Sequence, residues 1–180
     1  MSKALIIIDI QNDYFENSAM ELVQPLQASE NAKLILTHFR EKELEVVHIQ
    51  HLSLAPEATF FLPNTKGQEI HESVVPLPSE KLIVKNYPNS FRDTGLLSYL
   101  KSKEITEIVF VGMMTHMCID ASVRAAKDYG FDCTVIADAT ATRTLEINGQ
   151  SVDAASVQTS FLAGLSFFYS KIISTAEYVK

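Results

Sequence analysis

Ala4-Leu5-Ile6-Ile7-Ile8-Asp9 is the stretch that decides the fold. Its apolar residues run without alternation, so both faces of the strand they form must be covered. That is the environment of an interior strand in a parallel sheet, where crossover helices pack on each face. The run meets a charge after five residues, too soon for a membrane span or the core of a secretory signal. Asp9 follows the last apolar position and so marks the carboxyl end of the strand, where open α/β sheets collect their ligands.

Outward from this strand, apolar runs alternate with helical periodicity. A helix is predicted from about Leu26 to Lys42, with Ala32, Ile35, Leu36 and Phe39 on one face and Pro25 near its start. Glu45–Gln50 reads as the second strand. Leu52–Glu80 has weak periodicity and contains Pro56, Pro63, Gly67, Pro76 and Pro78, the composition of a long functional loop. Lys81–Val84 is a short strand, and Thr94 can cap a helix through Lys103. Glu107–Gly112 is a further apolar strand, followed by a turn, a helix over Met117–Tyr129 and a stop at Gly130. Cys133–Ala137, a helix over Ser151–Phe168 and a strand at Lys171–Ser174 complete the chain. This order predicts one domain over residues 1–180: a three-layer αβα, Rossmann-like arrangement around a mostly parallel sheet of about six strands, in the order 3-2-1-4-5-6. The last helix carries one stripe of Val157, Phe161, Leu165 and Phe168 and another of Val152, Ala155 and Leu162. A helix apolar nearly all round is buried. In a chain this small that predicts a subunit interface and a homo-oligomer, a dimer or tetramer.

Composition narrows the function. Of 180 residues, 47% are hydrophobic and 21% charged, which excludes a disordered chain. The net charge of −7, without any local Lys/Arg cluster, excludes a nucleic-acid partner. Two cysteines, Cys118 and Cys133, cannot staple a secreted scaffold, so a reducing, cytoplasmic setting is expected. No G-x-G-x-x-G or P-loop pattern supports a nucleotide cofactor, and no cofactor is expected. The expected partner is a small-molecule substrate, with no membrane contact.

Three strand ends bring chemistry to one edge: Asp9, Lys85, and the turn Gly112-Met113-Met114-Thr115-His116-Met117-Cys118. Cys118 falls in the first turn of a helix, where the dipole and a nearby Lys85 would stabilise a thiolate. Asp9 could take its proton, and free N–H groups of the turn could hold an oxyanion. Blander readings stay open from the residues alone. Cys118 shares a helix face with Ser122, Ala125, Ala126 and Tyr129; Asp9 could cap a turn with Asn12 or Asp13; Lys85 could be solvated. Phe60 and Phe61 wall a pocket or anchor the loop, and His116 lines the site or faces solvent. Met113, Met114 and Met117 read as packing residues, Cys133 as core, and Arg124, Asp138 and Arg143 as loop supports. His48, His51 and His71 are possible zinc ligands, but His48 lies within a strand and His71 in a distant loop, so no metal is expected.

Three motifs carry a resemblance. They are Asp9-Ile10-Gln11-Asn12-Asp13-Tyr14-Phe15, then Lys85-Asn86-Tyr87-Pro88-Asn89-Ser90-Phe91 with Thr94 and Leu96, then Gly112 to Cys118. In this order, extending into Asp138–Arg143 and the C-terminal helix, they resemble the isochorismatase-like cysteine hydrolases over nearly the whole chain. The resemblance implies an Asp9–Lys85–Cys118 triad and a cis peptide between Met113 and Met114. It also implies an oxyanion hole from the amides of Met114 and Cys118. The implied reaction is thiolate attack on a small amide-like carbonyl, release of amine or ammonia, and hydrolysis of the thioester. Family members that cleave the vinyl ether of isochorismate lack the nucleophilic cysteine, so Cys118 points away from that reaction. Nicotinamidases carry an Asp-x-His metal motif after the second strand, where this chain reads His48-Ile49-Gln50-His51-Leu52. The rival readings are a metal-assisted nicotinamidase-type amidase, a silent binding protein of the same fold, and a redox sensor joining Cys118 to Cys133.

Overall fold

The computed structural model describes residues 2–180. Its strands are β1 (Ser2–Ile8), β2 (Glu45–His51), β3 (Lys81–Lys85), β4 (Ile105–Met113), β5 (Asp132–Ala141), β6 (Leu145–Ile147), β7 (Gln150–Val152) and β8 (Lys171–Ile173). Its α-helices are α1 (Pro25–Glu41), α2 (Leu96–Ser102), α3 (Asp120–Asp128), α4 (Ala154–Ser166) and α5 (Thr175–Tyr178). Six strands form one sheet in the order β3-β2-β1-β4-β5-β8, and every pairing in it is parallel. This is the expected architecture and order.

The opening strand divides its side chains between two cores. Ala4, Ile6 and Ile8 pack with Leu96, Leu100, Val123, Ala126 and Leu165, from α2, α3 and α4. Leu5 and Ile7 pack with Ala32, Ile35, Leu36 and Phe39, from α1. The absence of alternation in the sequence thus corresponds to burial on both faces. The chain winds outward from β1 to β2 and β3 on one side, and from β4 to β5 and β8 on the other. The reversal between β1 and β4 opens the crevice at which such sheets bind ligands. There the two strands approach closely: Gly112 has φ +130°, and a Cβ on it would lie 2.0 Å from the Ile8 carbonyl oxygen. Only glycine tolerates both conditions.

Several element boundaries differ from expectation. Residues 145–152 form an antiparallel hairpin of β6 and β7, closed by Asn148-Gly149 with both residues at positive φ. Asn-Gly favours such a two-residue turn. The following helix therefore starts at Ala154 rather than Ser151, with Asp153 as N-cap accepting the Ser156 N–H at 2.9 Å. β5 runs on to Ala141, past the expected end at Ala137, through a register irregularity opposite Phe110–Gly112. α3 begins at Asp120, preceded by a π-helical turn over Thr115–Ile119. α4 buries Val157 and Leu165, but Phe168 of the same stripe is 65% exposed, Ala155 of the second stripe is exposed, and Phe167 just beyond the helix is 93% exposed, so the single chain fully covers neither stripe. No helix among the described residues is long and apolar enough to cross a membrane.

Candidate active site

The crevice between β1 and β4 holds three side chains from three strand ends. Asp9 leaves β1 at φ 52°, in the left-handed region, where strain is tolerated when the surroundings enforce it. Its carboxylate is fully buried and meets Lys85 Nζ at 2.7 Å. Lys85 ends β3, two strands from β1, so its side chain must reach across the end of β2. His51, the last residue of β2 and paired in register with Lys85, lies on that path. Lys85 Nζ donates to His51 Nδ1 at 3.2 Å and to the carbonyls of Tyr87 and Pro88 at 3.1 and 3.3 Å. Cys118 sits in the π-helical turn, 5% exposed, with Sγ within 4.8 Å of an Asp9 carboxylate oxygen and a His51 ring nitrogen. The Met114 carbonyl accepts from the Met117 and Ile119 amides and passes over the Cys118 N–H between them. The peptide bond joining Met113 to Met114 is cis.

The electrostatics correct one expectation. Burial opposes the Lys85 ammonium, but Asp9 and then Cys118 hold its pKa above the ordinary lysine value. Burial drives the Cys118 thiol strongly upward, Asp9 adds to this, and Lys85 only partly opposes it. Cys118 at rest is therefore a thiol, not the lysine-stabilised thiolate expected from the turn alone. Lys85 is already neutralised by Asp9, so the thiol sees a charge pair in a dry site, and desolvation decides. Apart from the Lys85 ion pair, neither Asp9 oxygen accepts a hydrogen bond among the described residues, which leaves the carboxylate able to receive a proton.

Aromatic residues pack beside the site. Tyr14 is buried edge-on to Phe61, with ring centroids 4.6 Å apart, and 6.0 Å from Phe60. Burial, then the proximity of Cys118, Asp9 and Asp13, pushes its phenol well above the usual range, so it is neutral. Phe61 is buried beside His51, with centroids 5.9 Å apart, and Phe60 is half-buried. Phe61 is thus a loop anchor packed against the site. Its N–H donates to Asp13 Oδ2 at 2.6 Å, and Gln11 and Asn12 bind the carbonyls of Gln68 and Lys66 on the same loop. Gly67 packs so closely on Asp13 that a Cβ would lie 2.0 Å from its carboxylate. The first motif therefore supplies Asp9 and also laces down the 52–80 loop.

Sequence reasoning names His51 only as a possible zinc ligand and gives Tyr14 no role of its own. The strand-end rule that selected Asp9 and Lys85 applies equally to the end of β2, and would have found His51. His116 turns to Thr142 Oγ1 at 2.6 Å and the edge of Phe161, toward β5 and α4, with its pKa lowered mainly by burial. The structure does not gather the three histidines named as possible zinc ligands. His48 Nε2 pairs with Glu80 at 2.9 Å, and His71 stacks on Phe15 and bonds Ser73. Asp9, His51 and Cys118 are close enough to suggest a metal, but the Lys85 ammonium already engages Asp9 and His51. A cation cannot share that space with an ammonium, so these residues do not fit a nicotinamidase-type metal. Cys133 is buried in β5, its Sγ 3.6 Å from the Phe131 carbonyl, and burial pushes its thiol up to about 12. Among the loop supports, Asp138 holds the Thr175 N–H and hydroxyl at 2.8 Å, and Arg124 pairs with Asp120 at 2.9 Å.

Known proteins match this chain along its length. An isochorismatase domain model matches residues 3–163. The uncharacterized isochorismatase family protein YddQ of Bacillus subtilis (strain 168) is 47% identical over 180 residues, covering 100% of each chain. The crystal structure of an Oleispira antarctica protein assigned as an isochorismatase hydrolase superposes with a TM-score of 0.95 at 44% identity, covering 99% of this chain and 96% of that one. A streptothricin hydrolase of Streptomyces noursei is 31% identical over 140 residues, 78% of this chain and 50% of its own. With the domain match, full-length similarity and shared parallel sheet in agreement, the chain belongs to the isochorismatase family of hydrolases.

Proposed function

We propose that this protein hydrolyses a small amide-like C–N bond through Cys118, with Asp9 as proton carrier and Lys85 as the fixed cation. The observation that carries this reading is the fully buried Asp9–Lys85 pair at 2.7 Å beside a thiol within 4.8 Å of the carboxylate. Its cost of burial is offset only by good geometry, and such pairs cluster where charge is used. Because the thiol is protonated at rest, its proton passes to Asp9 as Sγ bonds to the substrate carbonyl carbon. The carbonyl π pair moves onto oxygen, which the Met114 and Cys118 amides receive. On collapse the C–N bond breaks, the Asp9 proton goes to the leaving nitrogen, and a thioester remains. Water then attacks the thioester, giving its proton to Asp9, and the acid leaves as Cys118 recovers a proton. The 52–80 loop, with Phe60, Phe61 and Tyr14 beside the site, supports a small, partly apolar substrate.

A screen of small amides, ureas and cyclic imides with ammonia detection tests the reading. Cys118→Ala should abolish turnover of any hit and Cys133→Ala should retain it; turnover surviving in Cys118→Ala would refute the reading. The exposed apolar end of α4 supports a homo-oligomer, which sedimentation would detect.

A further inference from the structure

We propose that His51 is a positioning residue of this site: its imidazole, unprotonated at Nδ1, receives an N–H of Lys85 and fixes the ammonium between Asp9 and the thiol. The proposal rests on the triad reading above. Lys85 has three N–H donors and four acceptors around it: Asp9 Oδ2, His51 Nδ1, and the carbonyls of Tyr87 and Pro88. An ammonium can donate to Nδ1 only if that nitrogen carries no proton, so the neutral ring must hold its proton on Nε2. The ring is placed by both its backbone groups. The His51 N–H donates to Gln11 Oε1 at 2.8 Å, and its carbonyl accepts from Gln11 Nε2 at 2.9 Å. Phe61 lies beside the ring, tilted by 38° with centroids 5.9 Å apart.

The titratable groups facing the ring are Asp9 at the end of β1, Lys85 on β3 and Cys118 in the π-helical turn; Gln11 and Phe61 from the loops are neutral. Burial, opposed by Asp9 and aided by Lys85, keeps the His51 pKa below the ordinary histidine value. Protonating the ring would set an N–H against an ammonium 3.2 Å away and push Lys85 off its place. The folded pKa is lowered, so the productive arrangement holds at neutral pH and is lost as pH falls through the imidazole pKa.

Nitrogen-15 NMR of the imidazoles reads this without a substrate. The wild-type protein should show His51 as the Nε2–H tautomer, titrating below about pH 6.5. In Lys85→Met the midpoint should rise by at least about one unit, because a donor and a like charge are gone while Asp9 remains. An Nδ1–H tautomer, or a midpoint that stays put, overturns the proposal. A second arm follows release of p-nitrophenolate from p-nitrophenyl acetate. His51→Leu should lose about tenfold or more in rate, the range for groups that orient catalytic side chains. His51→Gln, whose amide oxygen can accept from Lys85, should recover part of the loss without the imidazole acid limb. Release that survives in Cys118→Ala would refute the cysteine hydrolase reading itself. Release lost in Cys118→Ala but unaltered in His51→Leu would refute only the role of His51.

Discussion

Glu80, at the end of the 52–80 loop, is the residue whose replacement has the most calculable consequence. Its carboxylate receives Arg40 Nε at 2.7 Å, Arg40 Nη2 at 2.8 Å, His48 Nε2 at 2.9 Å and the Leu77 N–H at 2.8 Å. Burial favours the neutral acid, but Arg40, the Leu77 amide and His48 together lower the pKa from 4.5 to about 2. Its side chain is only 7% exposed, so solvent screens these contacts little. A shift of about 2.5 units corresponds to roughly 3 kcal/mol of folding stability at pH 7. The folded pKa lies below the unfolded one, so this contribution is complete above about pH 4.5 and is lost as pH falls through about 2; roughly 1.4 kcal/mol remains at pH 3. Glu80→Gln keeps the shape and removes the charge. Urea unfolding at pH 7 should show a loss of about 2–3 kcal/mol, allowing for a hydrogen bond that Gln retains. Carbon-13 NMR of the Glu80 carboxyl should show no more than about a tenth of its titration between pH 5 and 3. An ordinary midpoint near 4.5, or a loss under about 1 kcal/mol, would refute the reasoning.

Two further substitutions separate chemistry from scaffolding. Asp9→Asn removes a charge that holds the Cys118 thiol up and frees Lys85 to pair with a thiolate. Iodoacetamide should then label Cys118 about tenfold faster at pH 7.5 while hydrolysis falls at least about a hundredfold; if labelling also slowed, Asp9 would not be the group that sets the thiol. Gly67→Ala places a methyl group 2.0 Å from an Asp13 oxygen and should release the Phe61 amide. The expected loss is about 2 kcal/mol with faster proteolysis within residues 52–80, and an unchanged cleavage rate would show that Asp13 does not clamp the loop.

The parts legible in the sequence are those set by local periodicity. The uninterrupted apolar run of β1 required cover on both faces, and that requirement led to the strand order and the crevice. The β6–β7 hairpin was equally legible, since Asn148-Gly149 is a strong local turn signal, but the apolar positions of Ser151 onward were absorbed into a helix. The register irregularity of β5 has no such signal, because it depends on how β4 lies beside it. The loop over Leu52–Glu80 could be recognised only as long. What holds it down is a set of side chains from Gln11, Asn12 and Asp13, more than forty residues earlier in the chain.

The state of Cys118 shows where spacing stops being informative. A helical turn and a nearby lysine both argue for a thiolate, and both are present. Two things outweigh them, and neither is local. Cys118 is only 5% exposed, packed in the core that covers one face of the sheet, and the lysine charge is spent on Asp9 at 2.7 Å. A buried thiol beside a neutral ion pair keeps its proton. In the proposed hydrolysis, activation coincides with bond formation, when the developing oxyanion and the transfer to Asp9 replace the lost S–H. The same arrangement explains why Lys85 needs more than one acceptor. If Asp9 takes a proton, its hold on the ammonium weakens at the moment the site carries most charge, and His51 and the two backbone carbonyls remain to keep it in place.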